Sequence, residues 1–377
     1  MTYSSMPSSF EFPARPAARS VPGIDREEAL AVVRERIALL DLDLRGLTVV
    51  VGATPGYQAI TATAAALADA GRVIAITRDS RHQGMAAAGE ATLAFARHAK
   101  VSDRVEVTNR IDSRKWHSVD ILASCSQIWP ISRSLVELLP SHAVVSLMAE
   151  PWELRPGAVD FDGCAEAGVK VAAPNLGHPA IDLLPDFARL CRILLDDAGI
   201  DGRSATIAIV SDTPLGSVIE HDLREQGARV DMVAHPLLLT GNKRDAIIVA
   251  MQPSERPAMD IGSLGRISES SRGALLVQFS GEIDRSAAHY FGLRVWPPKR
   301  PARGQLGLTL ETLGAAPTIR KLTGGLKAAE AAFRGAELGP DSIGFIVKDG
   351  TADRWRAGST GDAPLVQGKD PRGRSTL

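Results

Sequence analysis

The stretch "TIAIVSDTPLGSVIEHDLREQGARVDMVAH", residues 206–235, decides how the chain is divided. "TIAIVSDT" (206–213) reads as a short apolar strand running into a polar turn. "PLGSVIEHDLREQG" (214–227) follows as a helix, with Pro214 in its first turn, where a missing amide costs nothing. "RVDMVAH" (229–235) is a second strand. Strand, tight turn, helix, strand is the opening of a parallel, doubly wound sheet.

The same order occurs once before. "LTVVVGATPG" (47–56) is a strand ending in a glycine turn, "YQAITATAAALADAG" (57–71) an Ala-rich helix, and "RVIAITRD" (72–79) a strand. Strands follow at 104–111, 119–126, 143–150 and 169–175, then a long amphipathic helix, "PAIDLLPDFARLCRILLDDAGI" (179–200). After 235 the second series continues at 246–253, 274–281 and 293–298, and a turn and final helix are expected over 316–338. The fold class is therefore α/β: two Rossmann-like, doubly wound parallel-sheet lobes joined by an interdomain helix. The expected divisions are a flexible N-terminal arm (1–25), a first lobe (26–178), the helix (179–200), a second, nucleotide-binding lobe (201–315), a C-terminal segment packing back (316–351) and a flexible tail (352–377).

Composition narrows the partners. A net charge of −1 without a block of like charges argues against nucleic acid or an anionic membrane surface as main partner. Apolar runs are too short to span a bilayer, and the first 23 residues lack the apolar core of a secretory signal. Cys125, Cys164 and Cys191 are scattered, which suits reduced thiols in a cytoplasmic protein and offers no metal spacing. The expected partner is a small-molecule substrate, with the chain a homodimer.

Ligands in such sheets sit beyond the carboxyl ends of the strands. A dinucleotide or an S-adenosyl group needs a glycine-eased first turn and a carboxylate at the end of the second strand. The first lobe offers Gly52-Ala-Thr54-Pro-Gly56, with Asp79 ending its second strand. The second offers Ser211, Asp212, Thr213 and Gly216, with His235 in the acid's place. Asp212 would oppose a pyrophosphate unless it turns away, whereas the hydroxyls and the helix start favour an anion.

From residue 155 onward the chain resembles the D-isomer-specific 2-hydroxyacid dehydrogenases, the superfamily of formate and glycerate dehydrogenases. The likeness is carried by "RPGAVDFDGCAEAGVKVAAPN" (155–175), by the helix 179–200, by "GRSATIAIVSDTPLGSVIEHDLREQGARV" (202–230) and by "ALLVQFSGEIDRSAA" (274–288). It implies an NAD- or NADP-dependent oxidoreductase acting on a small polar metabolite between the lobes. It also implies a substrate-binding arginine before Gly281, where Phe279-Ser280 stand, and a late acid–base histidine, whereas no histidine follows His289. The first lobe is similar to class I S-adenosylmethionine-dependent methyltransferases through "VVVGATPGYQAITATAAALADAGRVIAITRD" (49–79), which would place the cofactor on Gly52, Gly56 and Asp79. A third reading is a non-catalytic nucleotide-binding protein on a degenerate dehydrogenase fold.

Candidates for chemistry gather where the first lobe ends. His178 lies in a turn between a strand end and the interdomain helix, where imidazole could serve as acid or base. Glu150, with Trp152 after it, ends another strand and is the second candidate catalytic residue; Asn175 precedes the His178 turn, and Asn175 and Trp152 are the expected substrate contacts. Asp182 and Asp186 share a helix face and read as a solvated pair or as the partner of a basic group. The glycine-punctuated segment 304–331 reads as a connection, as a dimer arm or as a loop closing over the cleft, with Gly324-Gly325 beside Lys327 as a possible anion contact at a helix start.

Overall fold

The computed structural model describes residues 24–77, 85–124, 128–241, 243–271 and 273–348; Asp79, Cys125, most of the N-terminal arm and the tail lie outside them. Among the described residues twelve strands form, β1 (Thr48–Gly52), β2 (Arg72–Ile76), β3 (Val105–Thr108), β4 (Ile121–Ala123), β5 (Val144–Ser146), β6 (Lys170–Pro174), β7 (Thr206–Val210), β8 (Arg229–Val233), β9 (Ala246–Ala250), β10 (Leu275–Ser280), β11 (Arg294–Trp296) and β12 (Gly344–Ile346). The helices among the described residues are α1 (Arg26–Leu40), α2 (Thr61–Leu67), α3 (Met85–His98), α4 (Ser113–Trp116), α5 (Arg133–Val136), α6 (Phe161–Ala167), α7 (Leu184–Asp197), α8 (Pro214–Glu225), α9 (Ile261–Ser270), α10 (Arg285–Tyr290) and α11 (Ala315–Phe333).

The strands build two sheets. One has the order β12-β6-β5-β4-β1-β2-β3, parallel except for β12, which runs antiparallel to β6; the other is β11-β10-β9-β7-β8, parallel throughout. This is the two-lobed, doubly wound α/β fold. Strand order reverses between β1 and β4 in the first sheet and between β7 and β9 in the second, the crevices where such sheets take ligands.

The period of two along each strand explains the layers. Val49 and Val51 face α1, α2 and α11, whereas Val50 faces the opposite core with Trp116 and Val136. In the second sheet Ile207 and Ile209 pack against α7 and α8, and Ala208 and Val210 against α9 and α10. Both faces are covered, so the strands read as unbroken apolar runs. The edge strands depart from this, β8 most of all, with Arg229, Asp231 and Met232 exposed.

Three sequence expectations are corrected. The interdomain helix is shorter than 179–200, spanning Leu184–Asp197. Residues 175–183 form turns instead, with Asp182 at φ 48° and Leu183 N–H donating to the Leu176 carbonyl at 2.9 Å; Gly199 at φ 74° ends the other side. The final helix spans Ala315–Phe333 and stops at Gly335, φ 79°. Gly324 and Gly325 lie inside α11, not at a helix start, so they offer no amides to an anion. Their missing side chains let the helix press on the first lobe: a Cβ on Gly324 would lie 2.5 Å from Ile181, and one on Gly325 would lie within contact of Met148 and Ser146. Together α11 and β12 complete the first lobe, α11 against β5, β6 and α1, and β12 at the sheet edge.

Gly344 is squeezed between β6 and α11. A Cβ there would lie 2.5 Å from the Ala173 carbonyl oxygen and 2.5 Å from the Ala328 methyl group. Gly344→Ala is therefore expected to destabilise the protein by about 1–3 kcal/mol. In urea titration the midpoint should fall with the slope unchanged.

Candidate functional site

The second-lobe turn sits at the crevice between β7 and β9. Ser211 and Thr213 are buried, and both hydroxyls reach the Ala250 carbonyl at the exit of β9, at 2.7 and 3.2 Å. Asp212 turns the other way, its Oδ1 accepting from the Gln252 amide at 2.8 Å. That orientation takes its charge away from the start of α8, whose N-cap residue Thr213 makes no capping bond. In this first turn Pro214 has no amide and Gly216 N–H donates to the Thr213 carbonyl at 3.2 Å, so what remains there for an anion is the Leu215 amide and the positive end of the helix dipole. Gly216 is required by packing: a Cβ would lie 2.5 Å from the Ser211 Cβ and 2.9 Å from the Met232 sulfur. His235 stands exposed beyond β8, its Nδ1 accepting from Leu237 N–H at 3.2 Å.

The first-lobe turn is filled from within. Gly52 ends β1, Thr54 is buried, and Gly56 has φ 69°. The Tyr57 amide donates to Oε1 of Glu311 at 2.9 Å, and a Cβ on Gly56 would lie 2.4 Å from the same oxygen. Burial raises the Glu311 pKa above the ordinary carboxylate value, against the lowering effect of the Tyr57 and Gln58 amides. The turn assigned to an S-adenosyl group therefore already holds a carboxylate of this chain. Together with the uninterrupted parallel order of β1 to β6, this leaves the methyltransferase reading without support.

Glu150, Trp152, Asn175 and His178 do come together, in one clamped turn. Glu150 is buried, with Oε1 accepting from Leu176 N–H at 2.6 Å and Oε2 accepting from the Trp152 indole N–H. Trp152 is itself buried, edge-on to Phe187 at 6.1 Å. Asn175 donates to the Pro340 and Ser342 carbonyls at 3.0 and 3.1 Å and accepts from Gly177 N–H at 3.2 Å, which ties the turn to the segment leading into β12. His178 accepts from Ala180 N–H at its Nδ1, 3.1 Å away, so the neutral ring carries its proton on Nε2. Partial burial lowers its pKa, which favours that neutral form.

Two arginines complete the clamp. Arg36 of α1 donates to the Ala180 carbonyl. Arg320 of α11 donates to the carbonyls of Ile181 at 3.3 Å and Asp182 at 2.6 Å, and pairs with Asp186. Asp186 thus has its basic partner, while Asp182 is exposed. Neither arginine, nor Glu311, is marked by local sequence; each arrives from more than a hundred residues away. Among the described residues no group of three or more His, Cys, Asp or Glu could hold a metal ion, and no helix is long and apolar enough to cross a membrane.

No family model and no curated protein matches the chain. Among solved structures it is similar to the A chain of dipicolinate synthase from Bacillus subtilis, at 13% identity over 79% of this chain and 100% of that one, with a TM-score of 0.48. It is likewise similar to the pyruvate reductase of Chlamydomonas reinhardtii (13% identity, 78% of this chain and 99% of that one, TM-score 0.49). A third is the NAD-dependent formate dehydrogenase of Staphylococcus aureus, in complex with NAD (13% identity, 73% and 99%, TM-score 0.45). The two-lobe plan rests on the sheet topology above.

Burial raises the Glu150 pKa from 4.5 to about 7, against two donors that lower it. Between those values the folded state binds more protons than the unfolded one. Stability should therefore fall as pH rises from about 4.5 to about 7. Glu150→Gln should remove this group's share of the slope. It should also cost about 1–3 kcal/mol at pH 5, because the new amide sets donors against the Trp152 and Leu176 donors. Chemical denaturation at a series of pH values measures both effects.

Proposed function

We propose that the protein is an NAD(P)-dependent oxidoreductase-like enzyme that binds its nucleotide along the second-lobe turn and acts on a small polar metabolite between the lobes. The observation that carries this reading is the orientation of Asp212. Held by Gln252 N–H, it leaves the start of α8 open at the β7/β9 crevice. Ser211, Thr213 and Gly216 would flank the pyrophosphate, and His235 would lie toward the ribose end. The bound nicotinamide would supply hydride transfer. His178 is the candidate acid or base, with Nε2 free of any hydrogen bond among the described residues. Glu150 and Asn175 support it as positioning residues, because their polar atoms hold the turn rather than face a ligand.

Thermal-shift measurements with NAD, NADP and S-adenosylmethionine test the reading. A nucleotide at a hundred times its dissociation constant should add about 2.7 kcal/mol of stability. Stabilisation by NAD or NADP is expected, and failure of both overturns the proposal. Ser217 is exposed in α8 just past its first turn. Ser217→Asp should weaken nucleotide binding about tenfold through charge repulsion, without lowering the melting temperature of the free protein. His178→Ala should abolish turnover while leaving nucleotide binding intact. Binding without turnover of any hydroxy- or keto-acid would favour the non-catalytic reading.

A further inference from the structure

Between β11 and α11 the chain crosses from one lobe to the other, and it lies against the carboxyl ends of both sheets. On the second lobe, Glu282 is buried and accepts from Arg300 and from Gly304 N–H, both at 2.9 Å. Arg303 donates to the Ser254 carbonyl at 2.9 Å, and Gly307 N–H to the Phe279 carbonyl at 2.8 Å. A Cβ on Gly307 would lie 2.3 Å from the Gln278 carbonyl oxygen, so the crossing is pressed onto the end of β10. Leu306, Leu308, Leu310 and Leu313 all pack against the apolar cluster that α7 and the second sheet share with Trp152, Leu176 and Ile181. Up to Leu313 the crossing is therefore fastened chiefly to the second lobe, with the Arg155 side chain of the first lobe lying over Gly304.

At Ala315 the chain enters α11 and belongs to the first lobe. The residue between is Gly314, at φ 95° and ψ −165°, a conformation open to glycine and strained for other residues. Glu311 reaches over this joint. Its backbone moves with the second lobe, while its carboxylate sits on the Tyr57 amide of the first. The other crossing, at the start of α7, is packed differently. There Phe187 meets Trp152 and Asp186 meets Arg320, a tight pivot between apolar rings and an ion pair.

We propose that residues 299–314 are a strap, with Gly314 as its joint and Glu311 as its catch: the carboxylate on the Tyr57 amide holds the two carboxyl edges together, and its release lets the lobes part about the α7 pivot. Gly56 is the matching half of the catch, because any side chain there would drive the carboxylate out. The inference does not depend on which nucleotide the second lobe takes, because the contact lies wholly within this chain.

Hydrogen–deuterium exchange on the full-length protein, together with small-angle X-ray scattering, tests it. Glu311→Ala should raise exchange at the Tyr57 and Gln58 amides and across 304–314 roughly tenfold, the fold-change of losing one hydrogen bond to a charged group. The radius of gyration should rise as the lobes separate. Glu311→Gln keeps an oxygen that accepts from Tyr57 and should retain most of the protection. Gly56→Ala, made from the other side, should reproduce the opening. Wild-type exchange and scattering in both alanine variants would overturn the proposal. So would exchange that rises throughout the first lobe, since that marks a folding contact and not a catch.

Discussion

The passage from the first lobe to the second starts from a carboxyl group taken out of water. Glu150 lies at the exit of β5, and the chain must supply donors there or lose stability. It supplies the Leu176 amide at the exit of β6 and the Trp152 indole. Neighbouring strand exits are thereby pinned to each other, and the turn from Asn175 to Leu183 starts from a fixed point. Helix α7 and the second lobe hang from that turn. Arg36 and Arg320 then grip the same turn from helices at opposite ends of the sequence, so its carbonyls have partners where no helix yet satisfies them. The position of His178 is thus set by Glu150 beyond β5 and by arginines on α1 and α11 together.

The first and second glycine turns look alike in sequence and differ in environment. Each follows a central strand at the reversal of its sheet. In one, an acid from a distant segment occupies the amides; in the other, the local acid is drawn aside to the Gln252 amide. Hydroxyls at Ser211 and Thr213 close the floor of the second crevice on β9 and do not project from it. One turn is closed by a contact from a distant segment, and in the other the nearby acid points to the Gln252 amide.

Much of this architecture was legible in the residues. Runs such as Val49–Val51 and Ile207–Val210 announce buried strands, and Gly71, Gly227 and Pro214 punctuate the helices between them. The restart after residue 205 correctly announced a second sheet. Helix limits were less legible: Pro179 to Leu183 carries helical composition, yet Asp182 takes a left-handed conformation that ends the pattern. The site was legible only as a neighbourhood. Glu150, Trp152, Asn175 and His178 were picked out and do converge, but their hydrogen-bond partners could not be read. Whether Asp212 faces the helix or Gln252, and whether a carboxylate lies on Tyr57, depend on the path of the chain across forty and more than two hundred residues.

The antiparallel strand β12 has a bearing on how the molecule comes into being. Every strand of the second sheet lies between residues 206 and 296. The first sheet, begun at residue 48, gains its last strand only at 344–346, and the helix covering β5 and β6 only at 315–333. On a ribosome the later lobe is therefore whole before the earlier one. The opening half of the chain must wait, with the apolar face of β5 and β6 uncovered, until its closing segment emerges. For this protein the order of synthesis and the order of completion run in opposite directions, and the interval between them is when chaperones have most surface to hold.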